Sequence, residues 1–318
     1  MSRVGLFLST RVTGSNDDPM PFLAQAALAE SAGFDSVWVG DSLVARPRLE
    51  PLTLLAALAM RTQRMTLGTA VLLPALRHPL TTAHGLATID RLSGGRLVVG
   101  VGAGFAYPET ERELGLIGVP MHERVGRSVE SVAIWRALWN ANGAAAHAGR
   151  YWSFDDVRIS PRPARPGGPP IWLGGNAPRA IRRAGEISDG FFPTSATPET
   201  FADAWSEARA AAVTAGRPAG ALQSAVLLTV CVDPDPSAAA ASLRRYMEDY
   251  YGAPLELLET IIGCRGGTPD DIVEWIERYV NAGAEHIVLR CASDEQLGQL
   301  ERIATTVLPA LRRPAAAA

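Results

Sequence analysis

The feature that most limits the folds open to this chain is an alternation of short apolar runs with longer amphipathic stretches, sustained from one end to the other. The apolar runs are Arg3–Ser9, Asp35–Gly40, Met65–Leu73, Arg96–Val101, Ile171–Leu173, Gly190–Phe192, Val226–Val232 and His286–Arg290. Between them lie helical patterns at Phe22–Ala32, Leu52–Arg61, Leu80–Leu92, His122–Trp139, Ala177–Gly185, Glu199–Ala215 and Ser237–Tyr250. A further helix capped by Thr268 runs to Ala282, and another spans Glu295–Leu311. Strands that are apolar throughout are covered on both faces, and helices between consecutive strands supply that cover in a parallel sheet. Eight such units over 318 residues are the pattern of an α/β protein of the (β/α)8 TIM barrel type, with a doubly wound sheet as the alternative.

Three stretches stand outside the alternation. Ala141–Gly149 reads as a small-residue connection, Tyr151–Ile159 as a short hairpin followed by a proline-rich loop to Pro170, and Pro254–Gly267 as an inserted excursion. No break in composition marks a second domain, so residues 1–313 are expected to form one domain and residues 314–318 a disordered tail.

Composition removes several chemistries. All 30 cationic residues are arginine. Schiff-base and pyridoxal-phosphate catalysis and the lysine-ended phosphate loop are therefore closed to this chain. A formal net charge of −3 argues against nucleic acid or an acidic membrane as partner. Cys231, Cys264 and Cys291 are odd in number and form no Cys-x-x-Cys pair, which speaks against a disulfide framework or structural zinc and fits a reducing cytoplasm. The N-terminal apolar run Val4–Leu8 is far short of a signal sequence, and no stretch reaches membrane-spanning length.

In a parallel barrel the functional loops follow the C-terminal ends of the strands. Here they are rich in glycine and poor in acids and bases: Asp41 is the one carboxylate in the first six, apart from Glu109 beyond the fourth strand. No cluster has metal-ligand spacing, and no nucleophile elbow occurs. Such a mouth suggests that a bound cofactor supplies the reactivity. Val99-Gly-Val-Gly-Ala-Gly104 is one residue short of the dinucleotide fingerprint and follows the fourth strand, so its glycines are better explained by backbone approaching a flat ring. Gly174-Gly175-Asn176 opens a helix; it is either an anion site of exposed N–H groups or a tight turn capped by Asn176.

Longer motifs make the assignment more specific. Ala32-Gly-Phe-Asp-Ser-Val-Trp-Val-Gly-Asp41, Pro51-Leu-Thr-Leu-Leu-Ala-Ala57, Leu67-Gly-Thr-Ala-Val71 with Arg77-His-Pro79, and Leu92-Ser-Gly-Gly-Arg-Leu-Val-Val-Gly-Val-Gly-Ala-Gly104 occur in this order. Pro170-Ile-Trp-Leu-Gly-Gly-Asn176, Ala184-Gly-Glu-Ile-Ser-Asp-Gly190 and Gly267-Thr-Pro-Asp-Asp271 follow. Together they resemble the bacterial luciferase-like flavin and deazaflavin oxidoreductases over essentially the whole chain. The resemblance implies a (β/α)8 barrel with insertions that binds coenzyme F420 or FMN at its mouth, acts on a small molecule, and forms a homodimer. It implies a non-prolyl cis peptide at Ala70–Val71 beneath the cofactor ring, and cofactor contacts at Asp41, Ser42, Gly102 and Gly104. Phosphate or tail contacts are implied at Gly175, Asn176 and Ala177.

This chain also departs from the family pattern. Many F420-dependent relatives carry His where this chain has Ser42. The sugar-phosphate dehydrogenases carry Glu where it has Phe105, and use lysines that it lacks. That branch is therefore disfavoured. Phe105 and Tyr107 suggest an apolar or aromatic-lined substrate pocket, and Arg77, His78 and Arg290 are further candidates for substrate or cofactor contact. No catalytic residue is assigned. The expectation is an F420-dependent oxidoreductase moving a hydride between the deazaflavin and an organic substrate. The alternatives are a monooxygenase using reduced FMN and a flavin-binding barrel without catalysis.

Overall fold

A computed structural model describes residues 2–11 and 18–312; the tail expected at residues 314–318 lies outside the described residues. The order is β1 (Arg3–Leu8), α1 (Met20–Ala32), β2 (Ser36–Val39), α2 (Pro51–Arg61), β3 (Thr66–Leu72), α3 (Pro79–Leu92), β4 (Leu97–Val101), α4 (Pro108–Leu116) and α5 (Arg124–Asn140). Then come β5 (Ala145–Ala148), β6 (Ser153–Val157), β7 (Ile171–Leu173), α6 (Pro178–Ile187), β8 (Gly190–Phe191), α7 (Pro198–Thr214), β9 (Gln223–Val232), α8 (Pro236–Tyr251) and α9 (Leu255–Leu258). The chain ends with β10 (Cys264–Gly267), α10 (Pro269–Asn281), β11 (His286–Cys291), α11 (Gln296–Arg302) and α12 (Leu308–Leu311). Hydrogen-bonded neighbours run β10-β9-β11-β1-β2-β3-β4-β7-β8, with β8 also pairing β9. The fold is the (β/α)8 barrel that the eight apolar runs predict, with β10 as an extra strand on β9.

The differences from expectation lie in the insertions. The hairpin pairs β5 with β6, so its first strand lies in the stretch read as a connection. Ala-Ala-His-Ala has none of the branched or aromatic residues that announce a strand. The 254–267 excursion contains α9 and β10, whose residues pair parallel with Thr229–Val232. Helix α4 was not visible in the sequence because Pro-Glu-Thr-Glu-Arg-Glu carries no apolar stripe. The last helix is interrupted by a π-helical turn at Ile303–Val307.

The chain divides into two compact units, one of residues 1–9, 24–38 and 172–318, the other of 10–23 and 39–171. In the first, Trp38 stacks on Trp172 with ring centroids 5.3 Å apart, and Phe192 and His286 meet both indoles edge-on. All four are buried, and each large apolar side chain so buried contributes about 1.5–3 kcal/mol. Ser36 Oγ accepts from Trp38 Nε1 at 2.7 Å and meets His286 Nε2 at 2.7 Å. Burial, with a smaller push from Arg3, lowers the His286 imidazole to about 3, so the ring is neutral at physiological pH. In the second unit α5 packs on α3 through Trp135 and Trp139, whose indole N–H groups donate to Pro79 O at 3.1 Å and Ala83 O at 3.2 Å. Asp90, fully buried at the end of α3, accepts from Arg165 N and fixes the proline-rich loop.

Candidate functional site

Three loops of the second unit follow β2, β3 and β4, and two carboxylates fasten them. Asp41 leaves the end of β2 with its side chain 2% exposed. It accepts from Leu73 N at 2.8 Å and takes both arms of the Arg77 guanidinium, at 2.5 and 3.1 Å. Burial pushes its carboxyl up from the ordinary value against the pull of Arg77. Arg77 also donates to Glu50 at 2.8 Å, and Glu50 caps α2 by accepting from Thr53 N. The Thr53 N–H and Arg77 outweigh desolvation and lower Glu50. His78 is the N-cap of α3, its Nδ1 accepting from Leu80 N at 3.3 Å, and its ring meets Trp152 edge-on. Arg77 and His78 thus have defined structural partners.

The second carboxylate was missed in the sequence. Glu113, on α4, is 1% exposed. Its Oε1 accepts from Ser42 Oγ at 2.9 Å, from Leu43 N, from Val44 N at 2.7 Å and from Ala45 N at 3.1 Å. Ser42 Oγ in turn accepts from Arg46 N at 2.8 Å. The only hydroxyl proton of Ser42 therefore points to Glu113. The sequence signal was hidden among Glu109, Glu111 and Glu113; what sets Glu113 apart is its place beside Leu114, which packs with Ala75 and Val119.

Between these fastenings β3 breaks its register with β4 from Thr69 to Leu72, and the Ala70–Val71 peptide is cis, as the resemblance implies. Opposite the break stands Gly102, where a Cβ would lie 2.5 Å from Val71 Cγ2; any larger residue would displace Val71. Gly104 follows at φ +76°. The result is a shelf of main chain and small side chains, Ala70 and Val71 half-buried, of the kind a flat ring can approach. Beyond it Phe105 and Tyr107 stack with centroids 5.6 Å apart and remain 43% and 38% exposed. The Arg46 guanidinium lies 5.8 Å from the Tyr107 centroid.

The first unit holds the other candidates. Gly175 takes φ +128°, and a Cβ there would stand 2.8 Å from Ala180 Cβ, so the turn requires glycine. Ala177, not Asn176, is the N-cap of α6; the Asn176 amide donates to Thr194 Oγ1 at 3.2 Å and to the Thr194 carbonyl. Asn176 and Ala177 are exposed at the positive end of the helix dipole. Arg290 is 4% exposed near the end of β11. It donates to Tyr251 Oη at 2.6 Å and lies over the rings of Phe7, Tyr250 and Tyr251, 4.6, 4.8 and 5.7 Å from their centroids. Its Nε and the hydroxyl of Thr229, its partner in register, have no hydrogen-bond partner. Ser9 Oγ and Tyr246 Oη are 2.7 Å apart beside them.

Burial raises Cys264 and Cys291 to about 12, so neither supplies a thiolate. Among the described residues no group of His, Cys, Asp and Glu could hold a metal ion, and no helix is long and apolar enough to cross a membrane.

Residues 2–286 match the luciferase-like monooxygenase family. The F420-dependent glucose-6-phosphate dehydrogenase of Beutenbergia cavernae is 34% identical over 336 residues, covering 96% of this chain and 98% of that enzyme. An F420-dependent secondary alcohol dehydrogenase, solved with an F420–acetone adduct, superposes with a TM-score of 0.83 at 24% identity, covering 98% of this chain and 99% of the other. A monooxygenase from Streptomyces bottropensis gives 0.82 at 24%, covering 96% and 99%. The two solved structures establish the likeness of fold.

Proposed function

This chain belongs to the luciferase-like monooxygenase family, and on that premise we propose that it is an F420-dependent oxidoreductase moving a hydride between the deazaflavin and a small organic substrate. The observation that carries the reading is the shelf at Ala70–Val71, kept open by Gly102, together with loops whose buried carboxylates Asp41 and Glu113 are already engaged. The named activities of the relatives support the same choice. Bound there, F420 supplies the hydride-transferring carbon; the protein contributes position and exclusion of water.

In this reading Ala70, Val71, Gly102 and Gly104 support the ring. Asp41 and Ser42 act by fixing the loops around it, because their polar atoms are held by Arg77, Leu73 and Glu113. Gly175, Asn176 and Ala177 offer main-chain N–H groups and a helix dipole to a phosphate or acidic tail. Phe105 and Tyr107 favour an apolar or aromatic substrate. The absence of lysine, with Phe105 and Ser42 in place of Glu and His, speaks for a substrate other than the sugar phosphate named for the relatives. Arg290 is a candidate for an anionic substituent.

We further read the protein as a cytoplasmic homodimer whose residues 1–313 unfold as one domain, which sedimentation and a single cooperative melt would support. The deciding experiment is titration with F420 and FMN in parallel, following tryptophan quenching. F420 is expected to bind at least about tenfold more tightly, a difference of roughly 1.4 kcal/mol, and to be bleached with a suitable substrate. Binding of FMN alone overturns the reading in favour of a monooxygenase. Binding of F420 without turnover on a panel of alcohols, aldehydes and enones favours a barrel without catalysis.

A further inference from the structure

Three consecutive main-chain N–H groups, those of Leu43, Val44 and Ala45, converge on one oxygen of Glu113 together with the Ser42 hydroxyl. Such a run of N–H groups forms an anion-binding concavity. Here its occupant is a carboxylate from α4, an element inserted after β4. The arrangement fixes the backbone from Ser42 to Ala45, turns the Leu43 side chain outward at 55% exposure, and leaves the Ser42 hydroxyl without a proton for any other acceptor. Arg46 continues the loop onto the ring of Tyr107, the residue preceding α4. The loop after β2 and the helix after β4 are thereby joined at both ends of α4's first two turns.

We propose that Glu113 is a positioning residue: it holds the 42–46 loop in the conformation that cofactor binding requires, acting through main-chain N–H groups and touching no reacting atom. The inference rests on the F420 reading above. It accounts for a polar position after β2 that is a serine locked to a carboxylate, and it predicts a role carried by the acceptor oxygen and not by proton transfer.

Glu113→Ala, Glu113→Gln and wild type are compared by cofactor titration, by steady-state kinetics, and by amide exchange of Leu43–Ala45 in the cofactor-free protein. Removing an acceptor of several hydrogen bonds to a charged group is expected to weaken F420 binding about tenfold or more in the alanine variant. It should also abolish protection of the three amides and leave kcat at saturating cofactor within about twofold of wild type. Glutamine retains an acceptor oxygen and should recover most of both losses. Unchanged F420 affinity in a folded variant whose amides have lost protection overturns the proposal. So does a glutamine variant that binds F420 normally but loses kcat as severely as alanine, because that outcome marks a proton-transfer role. Where the alanine variant does not fold, the glutamine variant decides by the same two criteria. Wild type that binds neither F420 nor FMN refutes the functional reading separately, before any variant is measured.

Discussion

Two charged clusters sit at strand ends in this molecule, and they are built on opposite principles. In the second unit Asp41, Arg77 and Glu50 form an ionic chain with main-chain N–H groups filling the remaining acceptor positions. In the first unit the buried guanidinium of Arg290 is held by one phenol and three aromatic faces, with no carboxylate among those partners. The ionic chain fixes geometry, since its hydrogen bonds are directional and both carboxylates lose their guanidinium if Arg77 is removed. The aromatic box tolerates a cation without dictating where an anion must stand, which leaves Arg290 able to meet one.

The contrast is most directly broken at Arg77. Arg77→Met leaves Asp41 buried without its counter-ion, and breaking such a pair costs about 3–5 kcal/mol; urea denaturation measures it. A cost below about 1 kcal/mol would mean that the chain is not interdependent. A second, smaller effect sharpens the view of the first unit's core. His286 is neutral when folded, with its imidazole lowered to about 3 against an ordinary 6.5. Above pH 6.5 both folded and unfolded forms are neutral and the stability is fully present. As pH falls from 6.5 towards 3 only the unfolded chain takes up the proton, so stability falls by up to ~1.4 kcal/mol per pH unit. Chemical denaturation at pH 7, 6, 5 and 4 should reveal this slope, and His286→Gln should flatten it; an unaltered slope would remove His286 as its source. The smallest effect is expected for Arg290→Met, which orphans no carboxylate and removes one hydrogen bond and the cation–π contacts, roughly 1–2 kcal/mol. A cost equal to that of Arg77→Met would erase the distinction between the clusters.

How much of this could be read from the sequence follows the same physics. The barrel strands were legible because a strand covered on both faces must be apolar throughout, as in Val226–Val232 and His286–Arg290. Strand β5 was not legible, because alanines carry no period. At the site, Gly102 and Gly175 stood out as glycines with a steric reason, and the resemblance pointed to Ala70–Val71. Asp41 was visible as a lone carboxylate at a strand end, but its engagement with Leu73 and Arg77 depends on a turn 32 to 36 residues away. Glu113 was hidden because its segment carries no apolar stripe, and its burial beside Leu114, which packs with Ala75 and Val119, is a tertiary effect. The aromatic box of Arg290 likewise depends on Tyr250 and Tyr251, whose helix gives no hint of the strand it covers.

Glu113, reaching from α4 into the loop after β2, governs how this part of the mouth responds to its surroundings. An anion site open to solvent samples whatever the medium holds, and its occupancy follows ionic strength and metabolite concentration. Here the anion is tethered to the same chain, at an effective concentration far above that of any free competitor. Chloride, phosphate and organic acids at ordinary concentrations therefore compete poorly for the Leu43–Ala45 amides, and the shape of this part of the mouth is insulated from the composition of the solution around it.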